Sequence, residues 1–134
     1  MTTTPPPDDT RCPCGSGDTY GGCCGRFLGG AAHAPTAEAL MRSRYTAFAT
    51  GDAAYLRATW HPSRRPARVD LDDGTVWRRL DVLRTDAGGP FDDAGVVEFV
   101  ARYRGPDGPG LLHERSRFVR EGGRWFYVDG AAGR

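Results

Sequence analysis

Leu111–Asp129 reads LLHERSRFVREGGRWFYVD, and this stretch decides the fold class. Leu112, Glu114, Ser116 and Phe118 alternate against His113, Arg115, Arg117 and Val119, the two-residue period of a strand whose faces differ. Gly122-Gly123 supplies a two-residue turn of the kind that joins tight hairpins. Beyond it, Trp125 and Tyr127 alternate against Phe126 and Val128. Working backwards, Val96–Tyr103 places Val97, Phe99, Ala101 and Tyr103 on one face, and Trp77–Thr85 is a further strand. Residues 62–75 form a charged loop.

Upstream of that loop the period becomes helical. Thr36 follows Pro35 as an N-cap, with Glu38 adding negative charge to the first turn. Ala37, Leu40, Met41, Tyr45 and Phe48 then recur as one apolar stripe, with Arg42 on its flank and Arg44 expected nearly opposite Leu40. Gly51 ends this helix. Asp52 caps a second, shorter one that stops at His61-Pro62, because a residue before proline is pushed out of helical space. Two helices followed by about four antiparallel strands is an α+β order, with helices covering one face of a curved sheet.

The composition adds exclusions. Among 134 residues the formal charge is +1, so no global field steers the chain towards nucleic acid or acidic membranes. All 18 basic residues are Arg, and Lys, Asn, Gln and Ile are absent, the mark of a nucleotide-composition bias. Arginines 115, 117, 120 and 124 form a stripe, but Glu121 and Asp129 dilute it and no base-stacking run accompanies it, so nucleic acid is not the expected partner. Met1–Asp9 has neither the basic nor the apolar region of a secretory signal, and no run is long enough to span a membrane. The expected compartment is cytoplasmic, where thiols stay reduced.

Residues 1–11 read as a disordered, proline-rich lead-in. Residues 12–35 carry all four cysteines among many glycines, with too few apolar residues to fold by burial alone. Cys12, Cys14, Cys23 and Cys24 offer four soft thiolates for one tetrahedral Zn²⁺, closed to substrate and hence structural. Two disulfides are the competing use. The reducing compartment favours zinc, and with no Cys-x-x-Cys present a redox role is not favoured.

Cys12-Pro-Cys-Gly-Ser-Gly-Asp-Thr-Tyr20-Gly-Gly-Cys23-Cys24 resembles the SEC-C motif, the zinc knuckle found at the end of the SecA translocation motor. That resemblance implies bound zinc and a surface that docks a macromolecular partner, although only Arg11 and Arg26 supply basic charge here. The segments around residues 39–48, 59–62, 97–103, 113–118 and 125–130 resemble the bacterial YchJ family. The family is similar in fold to nuclear transport factor 2-like proteins, in which a cone of curved sheet wraps a helix. The resemblance therefore implies a cone domain over residues 36–134, with room for a small ligand between helices and sheet. It implies no settled activity. Such domains also pair into homodimers through the convex face or rim of the sheet.

Two functions are open on this reading. In the first, the chain is a binding module, its knuckle docking a protein and its cone holding a ligand or a second copy. In the second it is a small isomerase, dehydratase or hydrolase. Glu114, facing the apolar side, would then shuttle a proton while Arg44, Tyr103 or His61 polarises a substrate oxygen. A structural alternative makes Glu114 and a helix arginine a buried ion pair. His61 reads most simply as a helix-terminal cap and His113 as solvent-facing or at the cone mouth; His33, in a loop, could be a spare ligand, but four cysteines already close the zinc shell. Trp60, Trp125, Tyr103 and Tyr127 read as core aromatics.

Overall fold

The structure, a computed structural model, describes residues 5–132. Its elements are α1 (Gly25–Leu28), α2 (Ala37–Thr50), α3 (Ala53–Ala58), β1 (Val76–Ala87), β2 (Ala94–Gly105), β3 (Gly108–Glu121) and β4 (Arg124–Ala132). The strands form one antiparallel meander in the order β1-β2-β3-β4.

The local signals act as their chemistry requires. The Thr36 hydroxyl accepts from the Ala39 N–H at 3.0 Å, and Asp52 caps α3 by accepting from the Tyr55 N–H at 3.0 Å. Gly51 closes α2 at φ +81°, a left-handed position that favours glycine. Gly122 and Gly123, at φ +59° and +78°, make the β3–β4 hairpin turn. Register shifts at Trp77/Arg79, Val82/Arg84 and Arg117/Phe118 bend the sheet. Its concave face, carrying Leu80, Val97, Phe99, Ala101, Phe118 and Trp125, closes over α2. The backbone of residues 59–61 docks along β4, with the Tyr127 N–H donating to Thr59 O and the His61 N–H to Tyr127 O.

Helix α2 is wrapped on more sides than a single stripe suggests, because the knuckle covers the flank that the sheet leaves open. Cys12, Cys14, Tyr20 and Cys24 belong to the same buried cluster as Leu40, Met41, Tyr45 and the sheet residues. Thr46 is buried beneath the knuckle, and Ser43 and Arg44 are buried against α3 and the residues that follow it. Arg44 corrects the expectation that it lies opposite Leu40. Four residues on, it shares the Leu40 face, and it is only 4% exposed.

The lead-in also needs correction in its described part. Tyr20 and Gly21 donate backbone hydrogen bonds to Thr10 O and Asp8 O, and Arg11 bridges to Thr19, so the chain is tied to the knuckle from Asp8 onward. Residues 1–4 of that expected tail lie outside the described residues. Among the described residues no helix is long and apolar enough to cross a membrane.

Candidate functional site

Two constellations stand out, a thiol cluster and a pocket, on opposite sides of α2. In the first, the turns at Gly15 and Gly17 (φ +79° and +93°) fold Cys12 and Cys14 back towards Cys23 and Cys24. The four sulfurs lie within 4.8 Å of one another, and all four cysteines are free. Cys14 and Cys23 Sγ are 3.7 Å apart, Cys23 and Cys24 Sγ 3.9 Å. A tetrahedron with metal–sulfur bonds of about 2.3 Å has edges of about 3.8 Å, so the spacing fits a metal and is far too long for disulfides. Crowding sets the protons. Hydrogen bonds from the Cys14 and Cys24 thiols pull Cys12 down to about 3, while contact with Cys12 and Cys14 together with burial pushes Cys24 up. To be thiolates together, four sulfurs this close need a cation among them.

Helix α2 takes part in this site, which the sequence did not signal. The Thr46 hydroxyl lies 3.8 Å from Cys12 Sγ, and Ser16 Oγ lies 3.2 Å from Cys23 Sγ. Arg42, held to Glu38 at 2.9 Å, donates to the Cys14 carbonyl at 3.0 Å. His33 is exposed and stands outside the sulfur cluster.

The second constellation is a cavity of about 210 Å³ between α2 and the concave sheet. Met41, Tyr45, Phe48, Trp60, Trp77, Phe99 and Ala101 make its apolar wall, and Arg44, Glu114, Ser116 and Tyr127 add polar side chains. Arg44 reaches it from α2. Its Nη1 donates to Leu56 O at 2.8 Å and Thr59 Oγ1 at 2.7 Å, which fastens the C-terminal end of α3 to α2. Its guanidinium lies over the rings of Tyr127 (4.5 Å) and Trp60 (5.2 Å). No carboxylate of the described residues comes within ion-pair distance of it. Burial lowers it to about 10, still protonated at neutral pH.

Glu114 projects inward from β3, as the alternation requires. Its Oε1 accepts from the Ser116 hydroxyl at 2.8 Å and the Tyr127 hydroxyl at 3.4 Å, and Gly130 on β4 leaves space for it. The buried Glu114–arginine ion pair expected as the structural alternative is therefore not formed. Tyr127 stands between the two charges, its ring under Arg44 and its hydroxyl on Glu114. A second cleft, of about 310 Å³, lies between His33, Tyr55 and Trp125 and carries no buried charged group.

The other two candidates go elsewhere. His61 lies outside the pocket, with Nδ1 2.7 Å from Ser63 Oγ and Nε2 2.9 Å from Glu121. The docking of residues 59–61 on β4 carries it towards the β3–β4 turn. Tyr103 packs on Trp77 at 5.2 Å and does not line the cavity. His113, expected in solvent or at the cone mouth, is half-buried against Glu98 at 2.7 Å on the outer sheet face. The arginine stripe is partly neutralised, since Arg117 forks onto Asp129 and Arg120 reaches Asp93. Trp60 and Tyr127 are more than core aromatics: both line the pocket, and Trp60 Nε1 is buried with no acceptor among the described residues.

The same residues match known families. Residues 36–130 match the model for the YchJ middle domain, which is nuclear transport factor 2-like. This chain belongs to the YchJ family. Residues 10–26 match the SEC-C motif, so the family domain and the knuckle adjoin as the fold shows. A UPF0225 protein of Streptomyces coelicolor is 58% identical over 127 residues, covering 95% of each chain. One from Deinococcus radiodurans is 51% identical over 121 residues, covering 90% of this chain and 88% of its own. Among solved structures, the solution structure of a SEC-C motif protein from Rhodopseudomonas palustris superposes with a TM-score of 0.81 at 39% identity. It covers 92% of this chain and 98% of that one. A crystal structure of a SEC-C motif protein from Psychrobacter arcticus gives 0.76 at 26% identity, covering 95% and 85%. The YchJ match covers the cone and the SEC-C match covers the cysteine cluster.

Proposed function

We propose that the protein is a zinc-stabilised binding module whose working site is the cone pocket. In this reading Cys12, Cys14, Cys23 and Cys24 hold one structural Zn²⁺, which fixes the knuckle against α2. The cone then receives a small ligand between α2 and the sheet. The observation that carries it is the cavity itself. A filled core would have satisfied the fold, yet this one keeps space for a small molecule beside two charged groups that do not pair with each other. Zinc is supported by the sulfur spacing and by a closed set of four soft ligands.

Two surfaces extend the same reading. The exposed loop Ser16–Thr19, outside the sulfur cluster, is where a protein partner would dock on the knuckle. The free edge of β1, with exposed Val76 and Leu83, is where a second copy would pair.

The test is calorimetric titration of the full chain with indole, a neutral apolar probe of suitable size. Saturable binding that is lost in Ala101→Leu, with folding intact by circular dichroism, supports the reading. Absence of binding, or binding that Ala101→Leu leaves unchanged, overturns it. Size exclusion with light scattering tests the second-copy contact, and pull-downs comparing native protein with Asp18→Arg test the knuckle surface.

A second reading, an enzyme of the isomerase, dehydratase or hydrolase type, keeps the same pocket. One observation favours it: among the described residues Glu114 is bonded through hydroxyls and by no arginine, so its carboxylate stays available for proton transfer. Turnover of a ligand found in the pocket, abolished by Glu114→Gln with binding retained, would establish it.

A further inference from the structure

We infer that the cone pocket recognises a small monocarboxylic acid with an apolar body, its carboxylate seated on Arg44 beside the Trp60 ring. This rests on the reading of the cavity as a ligand site and names the class of ligand. Buried donors are ordinarily satisfied, and those left over in a pocket point to what the pocket receives. Arg44 spends Nη1 on Leu56 O and Thr59 Oγ1, and neither its Nε nor its Nη2 has an acceptor among the hydrogen bonds of the described residues. Trp60 Nε1 is buried without an acceptor too. Both residues line the one cavity, with the Arg44 guanidinium 5.2 Å from the Trp60 ring. A cationic fork with free N–H donors in a low-dielectric wall suits a planar anion with two acceptor oxygens. A carboxylate fits that description.

The remaining wall fixes the rest of the molecule. Met41, Tyr45, Phe48, Trp77 and Phe99 present rings and a thioether, so the body is apolar, aromatic or branched. Glu114 excludes a second negative charge. Held by Ser116 and Tyr127 through Oε1, it keeps Oε2 for a hydroxyl or amine donor on the ligand. A hydroxy acid or an amino acid with an apolar side chain satisfies both poles, and a dicarboxylate does not.

The experiment titrates the full chain with 3-phenylpropionate, 3-phenylpropanamide, 3-phenylpropylamine and glutarate at neutral pH. The expected result is that the acid binds at least about 10-fold tighter than the amide and the amine, the difference a charged hydrogen bond makes, and that glutarate does not bind. The Trp60 indole N–H resonance, assigned with Trp60→Phe, should shift with the acid and stay in place with the amide. Arg44→Gln should abolish the preference for the acid. If that variant fails to fold, the comparison among probes on the native protein and the Trp60 signal still decide. Equal binding of acid and amide, or tighter binding of the amine, overturns the assignment while leaving the pocket reading intact. No binding of any probe, indole included, overturns both.

Discussion

Thr46 sits where the two halves of the molecule meet, fully buried on α2 with its hydroxyl against Cys12 Sγ. Valine has the same shape and no donor. Thr46→Val should therefore cost about 1 kcal/mol in urea unfolding and speed metal loss to a chelator, while leaving the far-ultraviolet spectrum unchanged. Unaltered stability and release rate would show that the hydroxyl does nothing for the sulfurs. At this scale the cysteines were legible, because ligand type and spacing are local. So was the inward aim of Glu114, which follows from strand alternation. Arg44 was readable in principle, since its four-residue offset from Leu40 puts both on one face. The roles of Trp60 and Tyr127 were not. Whether a buried N–H finds an acceptor depends on residues brought together from α2, β3 and β4.

At the scale of elements, capping chemistry does most of the delimiting. Thr36→Ala removes the acceptor for the Ala39 N–H and should lower stability by about 1 kcal/mol, read from the urea midpoint. Gly51→Ala should cost a comparable amount, because alanine is strained at φ +81°. Two unchanged midpoints would mean that tertiary packing alone sets the ends of α2. Helix starts, the Gly122-Gly123 hairpin and the strand faces could all be read from the chain, since each depends on a few neighbouring residues. The bulges that curve the sheet were not visible in the alternation. Nor was the tie between Asp8–Arg11 and the knuckle, which uses backbone atoms that any residue carries.

Across the whole molecule, the knuckle and the cone share one buried cluster, so they should unfold together. Removing the metal with a strong chelator should lower the melting temperature by at least about 10 °C in a single transition. Two separate transitions would show independent units. Alkaline pH probes the same core. Burial pushes Tyr45, Tyr55 and Tyr127 up from 10.0 to about 12, so between those values the folded chain keeps protons that the unfolded chain releases, and stability falls as pH rises. Arg44, lowered from 12.5 to about 10, acts in the opposite sense, one group against these three and Tyr20, which burial also raises. Urea midpoints should therefore drop between pH 9 and pH 11, and a rise would contradict the burial of the tyrosines. The central claim is that the cone pocket is the working site. Its most direct measurement is a set of intermolecular nuclear Overhauser contacts between bound indole and the full chain. Contacts are expected to Met41, Phe99 and Tyr127 inside the cone. Contacts confined to exposed Leu83, Phe91 or Leu111, or none at all, would contradict it.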